Sequence, residues 1–372
     1  MKILLIAIGT QGDMQPFVAV GKGLKARGHE VTVCTHDCFE SFVRRHDLEC
    51  FPISSDLQAF MRTPEGRYLM ENATNLLKTA ASAIKVYPAL KKLNQALVDQ
   101  TGEAAMHVRP DAIVFHAKAP GTSSFAEKLG IPCMLYSFQP MFVPTATSPA
   151  MLFPNLGGAA YNRMTYRLVQ KLSRKGTRSY VENWRKGHGL LPSKAPLLKM
   201  QDGTQIPVLN GWSEALLPQP HDWPEWATVA GFPFLEEPAV YQPSKALAAF
   251  LEAGAPPVYA GFGSIFGSDP AKTTRVVLEA IQKTGSRAIL SCGWGGLQKE
   301  IARGAKGVFV LDEFVPHTWL FERVSMVIHH GGVGTTSEGL RAGKPTIICP
   351  FFGDQPYWDE RHGQGAGPGP IP

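Results

Sequence analysis

The 372-residue sequence has no uncharged apolar run of the roughly 18–20 residues that a membrane-crossing helix needs, so no transmembrane helix is expected. It has no Cys-x-x-Cys pair. Cys34, Cys38, Cys50, Cys133, Cys292 and Cys349 are scattered, without a matching histidine pair. That excludes a zinc framework or a disulfide scaffold and fits a reducing cytoplasm. No internal repeat is visible. Charged residues are sparse at 18%, yet a hydrophobic content of 44% excludes a disordered or fibrous chain. The apolar run Ile3–Ile8 is too short for a signal-peptide core and is followed at once by Gly9-Thr10-Gln11-Gly12-Asp13; it reads as a buried first strand.

What is present alternates. After the strand Lys2 to Ile8, Pro16 suits a first helical turn, and Phe17, Val20 and Leu24 fall at helical spacing until Gly28. Val31–Cys34, Ala112–Phe115 and Pro132–Tyr136 follow as strands, with a helix over 125–129 between the last two. Prolines and tryptophans punctuate residues 207–243. A second α/β series then begins with strand Val258–Phe262 and continues through strands at 287–291, 308–311, 324–328 and 346–349. The expected organisation is an N-terminal Rossmann-like domain over 1–217, a linker over 218–243 and a C-terminal Rossmann-like domain over 244–372. Two such doubly wound domains place a ligand in the cleft facing the carboxyl ends of their strands. Residues 56–100 are expected to supply helices and acceptor-pocket wall.

The most informative string is His329-His330-Gly331-Gly332-Val333-Gly334-Thr335-Thr336-Ser337-Glu338, between a strand and a helix. Glycines let backbone N–H groups approach an anion, and a helix N-terminus favours negative charge. A diphosphate is the natural guest, with His330 as a further donor and Glu338 placed to accept from ribose hydroxyls. Thr335 and Glu338 read equally as a capping box, which needs no ligand. Beyond the next strand, Asp354 and Gln355 offer a carboxylate and a carboxamide for vicinal sugar hydroxyls, or form a simple polar turn.

These residues resemble the nucleotide-sugar signature of family 1 glycosyltransferases of the GT-B fold. Phe314-Val315-Pro316-His317 and Gly261-Phe262-Gly263-Ser264 match further segments of that pattern. The narrower resemblance is to sterol 3β-glucosyltransferases and related bacterial natural-product glycosyltransferases. It is carried by Gly9-Thr10-Gln11-Gly12-Asp13-Met14-Gln15-Pro16, Tyr161–Tyr166 and Pro220–Pro224. The resemblance implies that Phe314 or Trp294 stacks on uracil, with Val315 offering backbone contacts. Ser264, His330, Gly332, Gly334 and Thr335 would hold the diphosphate, Glu338 the ribose, and Asp354 with Gln355 the hexose. UDP-glucose would be the co-substrate, with no cofactor. The acceptor would be lipophilic: a sterol, steroid, macrolide or flavonoid. Relatives continue into further helices where this sequence stops, in the run from Gly363 to Pro372.

Such a transfer needs a base for the acceptor hydroxyl. Asp13, expected on the loop after the first strand, is the candidate, with helix capping as the alternative. The expected step is an inverting displacement in which His330 and the helix dipole stabilise the departing diphosphate. No metal-ligand cluster is visible, so metal independence is expected. A nicotinamide oxidoreductase would show Gly-x-Gly-x-x-Gly after the first strand; here Gly12 is followed by Asp13, whose charge repels a pyrophosphate. A non-catalytic sugar-nucleotide or lipid-binding module is the other alternative.

The net charge of +6 is local. Between Arg163 and Lys186 eight basic residues face the single Glu182, and the rest of the chain is near neutral. Arg163, Arg167 and Lys171 share one helical face beside Met164, Leu168 and Leu172. That pattern fits peripheral contact with anionic membrane, or a solvated helix packed by its apolar side. No nucleic-acid motif accompanies it, and nucleic acid is not an expected partner.

Overall fold

The computed structural model describes residues 1–61, 63, 65–66, 76–151, 153–236, 241–263, 269–293, 296–351 and 353–365. The chain forms two units, Met1–Leu235 and Glu236–Pro372.

In the first unit, strand β1 (Lys2–Ile6) leads into helix α1 (Gln11–Ala26), and β2 (Glu30–His36) returns beside β1. Helix α2 (Glu40–Arg45), β3 (Glu49–Ile53), α3 (Asp56–Met61) and the long α4 (Leu76–Val108) follow. The chain then crosses to the other side of β1 to form β4 (Ala112–His116), α5 (Thr122–Leu129) and β5 (Cys133–Ser137). Helix α6 (Ala159–Gly187) precedes two short strands, β6 (Val208–Asn210) and β7 (Ala227–Val229). The sheet has the order β3-β2-β1-β4-β5-β6-β7 and is parallel throughout. Strands of such a sheet are covered on both faces, which is why β1 reads as an unbroken apolar run. Leu4, Leu5 and Ile6 are fully buried.

Residues 218–235 were expected to belong to a connection. They lie in the first unit, where β7 pairs with β6. Proline density here borders short strands: Pro207 precedes β6 and Pro224 and Pro233 flank β7, and no proline lies within either strand.

The second unit contains α7 (Lys245–Glu252), β8 (Val258–Gly261), α8 (Pro270–Thr284), β9 (Ala288–Ser291), α9 (Lys299–Ala302) and β10 (Val308–Leu311). It continues through α10 (His317–Leu320), β11 (Met326–His329), α11 (Val333–Arg341), β12 (Thr346–Ile348) and α12 (Gln355–Gly365). Its five parallel strands run β10-β9-β8-β11-β12. Neighbouring residues of β8 feed opposite cores: Ala260 packs with Leu278 and Leu290, Tyr259 with Ile289, Leu320 and Val327. This alternation is the period-two geometry of a strand covered on both faces.

Both sheets reverse their strand order once, between β1 and β4 in the first unit and between β8 and β11 in the second. At such a point the connections leave the carboxyl ends in opposite directions and open a crevice.

Helix packing in the first unit leaves no tolerance at Gly102 of α4. A Cβ there would lie 2.2 Å from Trp184 Nε1 and 3.2 Å from Phe125. Gly102→Ala is expected to destabilise the unit by about 1–3 kcal/mol through overpacking. Gly176→Ala in α6, where a Cβ meets nothing within 4 Å, should be neutral or stabilising. Thermal unfolding of the two variants checks the contrast.

Candidate functional site

The first crevice is built around Asp13. Helix α1 begins at Gln11, earlier than Pro16 implied, so Asp13 stands in its first turn and not on a loop. Its Oδ2 accepts the Thr10 N–H at 2.7 Å and the Thr10 hydroxyl at 3.1 Å. The capping role raised from sequence is therefore real, and it coexists with a second set of contacts. Lys118 Nζ lies 2.8 Å from both carboxylate oxygens, and His116 Nε2 is 3.6 Å from Oδ1. Gly9, at φ +133°, makes this possible: a Cβ there would sit 2.1 Å from Oδ2.

Asp13 is 8% exposed. Burial alone would raise its carboxyl. Lys118 foremost, then His116 and the Thr10 N–H, outweigh burial and hold the group at about 2. His116, fully buried at the end of β4, is pushed down to about 4 by burial, against the opposing pull of Asp13. Phe17, Tyr136 and Phe138 surround it, with ring centroids 4.7–6.0 Å apart among the four residues. Nearby, His36 at the end of β2 gives Nδ1 to the Ser54 carbonyl at 2.9 Å and lines a small pocket with Leu93, Leu97 and Gln100 of α4. The N-terminus of α1 thus already carries a carboxylate, which leaves no place there for a pyrophosphate.

The second crevice is built around His330, which follows β11. Gly263, after β8, has φ +61°, and a Cβ on it would approach His330 Cε1 to 3.2 Å; one on Gly332 would reach Nε2 at 2.6 Å. The imidazole thus lies between two glycines from loops on either side of the strand reversal. Burial first, and His317 second, push it down to about 4, so it is neutral near pH 7. Its Nδ1 is buried and has no hydrogen-bond partner among the described residues. Gly331, at φ +91°, donates its N–H to His329 Nδ1 at 2.9 Å. Helix α11 then starts with Gly332 as its N-cap and no acidic residue in its first turn. The N–H groups of Val333, Gly334 and Thr335 form that turn, whose donors have no partner within the helix.

Thr335 and Glu338 do not form a capping box. The helix begins two residues before Thr335, which places both inside it. Glu338 is 6% exposed. Burial raises its carboxyl to about 7, with Arg341 opposing and Glu236 adding to the shift.

The other expected donor residues are placed unevenly. Asp354 accepts the Trp358 indole N–H at 3.0 Å, and Gln355 Oε1 accepts the Phe351 N–H at 2.7 Å. Both are thus engaged in holding the start of α12. Phe314 is 53% exposed, whereas Val315 is buried in the core with Leu320 and Val327, which leaves only its backbone to offer. Ser264 and Trp294 lie outside the described residues. Two residues at the first crevice were missed in the sequence, His116 and Lys118. The signal was their position directly at the end of a predicted strand.

On α6, Asn162, Thr165, Tyr166 and Val169 face inward. Met164, Leu168 and Leu172 are 54%, 39% and 55% exposed, so the apolar stripe expected to pack is on the outside. Arg167 and Lys171 are exposed beside it, while Arg163 pairs with Asp222 at 3.0 Å.

Residues 3–148 match the glycosyltransferase family 28 N-terminal domain. The whole chain is 38% identical to sterol 3-beta-glucosyltransferase UGT80A2 of Arabidopsis thaliana and 36% identical to UGT80B1 of the same plant. Over 97% of its length it is 34% identical to the sterol 3-beta-glucosyltransferase of Aspergillus clavatus. It spans 58% and 60% of the plant proteins and 26% of the fungal one. Among solved structures it resembles the glycosyltransferase of kitacinnamycin (TM-score 0.64, 19% identity, 97% of this chain and 83% of that one). It also resembles the calicheamicin glycosyltransferase CalG4 (TM-score 0.63, 18% identity, 98% and 83%). Residues 3–148 therefore resemble a family 28 glycosyltransferase N-terminal domain, and the fold is GT-B. The matched domain covers Asp13, His116 and Lys118; the glycine-rich turn of the GT-B chain lies beyond it.

Glu338 gives this site a measurable signature. A carboxyl raised from an ordinary 4.5 to about 7 favours the unfolded state once the group ionises. The cost is absent below about pH 4.5, grows up to pH 7, and reaches roughly 3 kcal/mol above it. Glu338→Gln should therefore be more stable than the wild type at pH 8, with the difference vanishing near pH 4. Unfolding midpoints of both proteins across this range check the sign.

Proposed function

We propose that the chain is an inverting glycosyltransferase that moves glucose from UDP-glucose to the hydroxyl of a lipophilic acceptor of the sterol class. The observation that carries the reading is the second crevice. A neutral histidine with an unpartnered nitrogen stands there beside a glycine-rich turn and the mouth of α11. That combination suits a diphosphate held by backbone N–H groups. The sterol assignment draws on the plant and fungal relatives, and glucose draws on their names.

In this reading the acceptor oxygen attacks the anomeric carbon as the bond from that carbon to the diphosphate oxygen breaks. Asp13 takes the hydroxyl proton, and the electron pair leaves with UDP. His330 and the α11 N-terminus oppose the growing diphosphate charge, the role often filled by a metal ion. UDP-glucose acts as co-substrate and the transfer is metal-independent, so activity should survive exhaustive chelation. Glu338 accepts from ribose. Asp354 and Gln355, at the start of α12, face the hexose hydroxyls in this reading. A second reading, a non-catalytic sugar-nucleotide-binding module, is favoured by one observation: the Asp13 carboxylate is already paired with Lys118.

Asp13→Asn should leave UDP binding intact and reduce glycoside formation by about 10²-fold or more. Mass spectrometry of products from UDP-glucose and a panel of sterols, steroids, macrolides and flavonoids measures it. Unchanged turnover in the variant refutes the base assignment.

The exposed stripe of α6 supports a peripheral contact with anionic membrane, through Arg167 and Lys171 for charge and Met164, Leu168 and Leu172 for insertion. Adsorption to anionic vesicles should weaken with salt and in the Arg167→Glu, Lys171→Glu double variant. Equal adsorption to neutral vesicles contradicts it.

A further inference from the structure

The Asp13 carboxylate is heavily engaged as it stands. Oδ2 receives the Thr10 N–H, the Thr10 hydroxyl and Lys118 Nζ; Oδ1 receives Lys118 Nζ and faces His116. A hydroxyl that is to give its proton to Asp13 has its best approach at Oδ1, the less occupied oxygen, and there it competes with the donors already in place.

The candidates differ in what withdrawal costs. The Thr10 N–H belongs to the start of α1, so losing it uncaps the helix. His116 is 0% exposed and enclosed by aromatic rings. His36, the remaining titratable group near Asp13, is buried and tied to Ser54. Lys118 alone among these donors has an exposed side chain, at 50%, so its ammonium on a flexible stem can be rehydrated when it leaves the carboxylate. Its sequence position supports the same role, because it sits in the turn after β4, across the strand reversal from the turn that carries Asp13.

We propose that Lys118 is a positioning residue for the transfer: in the unliganded protein its ammonium occupies the place on the Asp13 carboxylate that the acceptor hydroxyl takes. This rests on the glycosyltransferase reading above. While paired, Asp13 is oriented and kept from protonation by solvent. When a hydroxyl displaces Nζ, the carboxylate loses its nearest cation within a buried setting, and its affinity for a proton rises at the moment it is needed. The proton passes from the acceptor hydroxyl to Asp13 as the glycosidic bond forms and UDP departs. Lys118 accepts no proton in the step.

The test uses the full chain, with Lys118→Met and Lys118→Arg, and two probes: cholesterol and 5-cholestene, which lacks the hydroxyl. In Lys118→Met, cholesterol should bind several-fold more tightly, because its hydroxyl no longer competes with an ammonium. Binding of 5-cholestene should be unchanged. The acid limb of kcat/KM should move up by more than one pH unit, and the titration of a carboxyl-labelled Asp13, followed by NMR without substrate, should move with it. Lys118→Arg should keep both titrations near their wild-type positions. A cooperative thermal unfolding transition matching the wild type's reports that each variant is folded. Equal tightening of both probes, or an Asp13 titration unmoved in Lys118→Met, overturns the proposal. A wild-type chain that binds UDP-glucose and cholesterol but makes no glycoside overturns the transferase reading instead, and the binding and NMR arms still decide the role of Lys118.

Discussion

Reversal of strand order is the constraint on which both crevices depend. A parallel sheet must send each chain from the carboxyl end of one strand back to the amino end of another. Where successive connections leave in opposite directions, no helix covers the strand ends. In the first unit that place lies between β1 and β4; Asp13 stands in the first turn of the helix after β1, His116 ends β4 and Lys118 follows it. In the second it lies between β8 and β11, whose turns carry Gly263 and His330. The two units use the same opening in opposite electrostatic senses. The first fills its helix N-terminus with its own carboxylate; the second leaves the N-terminus free of acidic side chains.

That contrast sorts the chemistry. Asp13 caps α1 and is held ionised chiefly by Lys118, so the N-terminus of α1 is already filled by a carboxylate of the chain itself. His330 has a buried Nδ1 without a partner among the described residues, and the first turn of α11 holds no acidic side chain, the features on which the proposed diphosphate site rests. Glu338 is buried within α11, and burial raises its carboxyl. Glycines make the arrangement possible at two close approaches: Gly9 beneath Asp13, and Gly332 beside His330.

Much of this was legible in the sequence because it is local. A short apolar run followed by Gly-Thr-Gln-Gly-Asp, and another followed by His-Gly-Gly-Val-Gly, each encode strand, turn and helix within about a dozen residues. The strand Ala112–His116 was equally legible, but its consequence was not. Lys118 is 105 positions from Asp13, and only the strand order makes them neighbours. Competition between partners was also hidden. Asp354 and Gln355 read as sugar-binding groups or a simple polar turn, and Trp358 and Phe351, each four residues away, already use part of each. On α6 the periodicity showed two stripes, but whether the apolar one packs depends on which neighbouring face is larger. Tyr166, Val169 and Trp184 supply that face, and Met164, Leu168 and Leu172 are left outside.

The central claim is that a hydroxyl activated at Asp13 displaces UDP from the anomeric carbon in a single step. A single displacement inverts that carbon, whereas two successive displacements, or release of the sugar to water, leave other signatures. The most direct measurement is the anomeric configuration, by proton NMR, of the glycoside formed from UDP-α-glucose and cholesterol. The account predicts the β-glucoside alone; an α-glucoside, or free glucose with no glycoside, contradicts it.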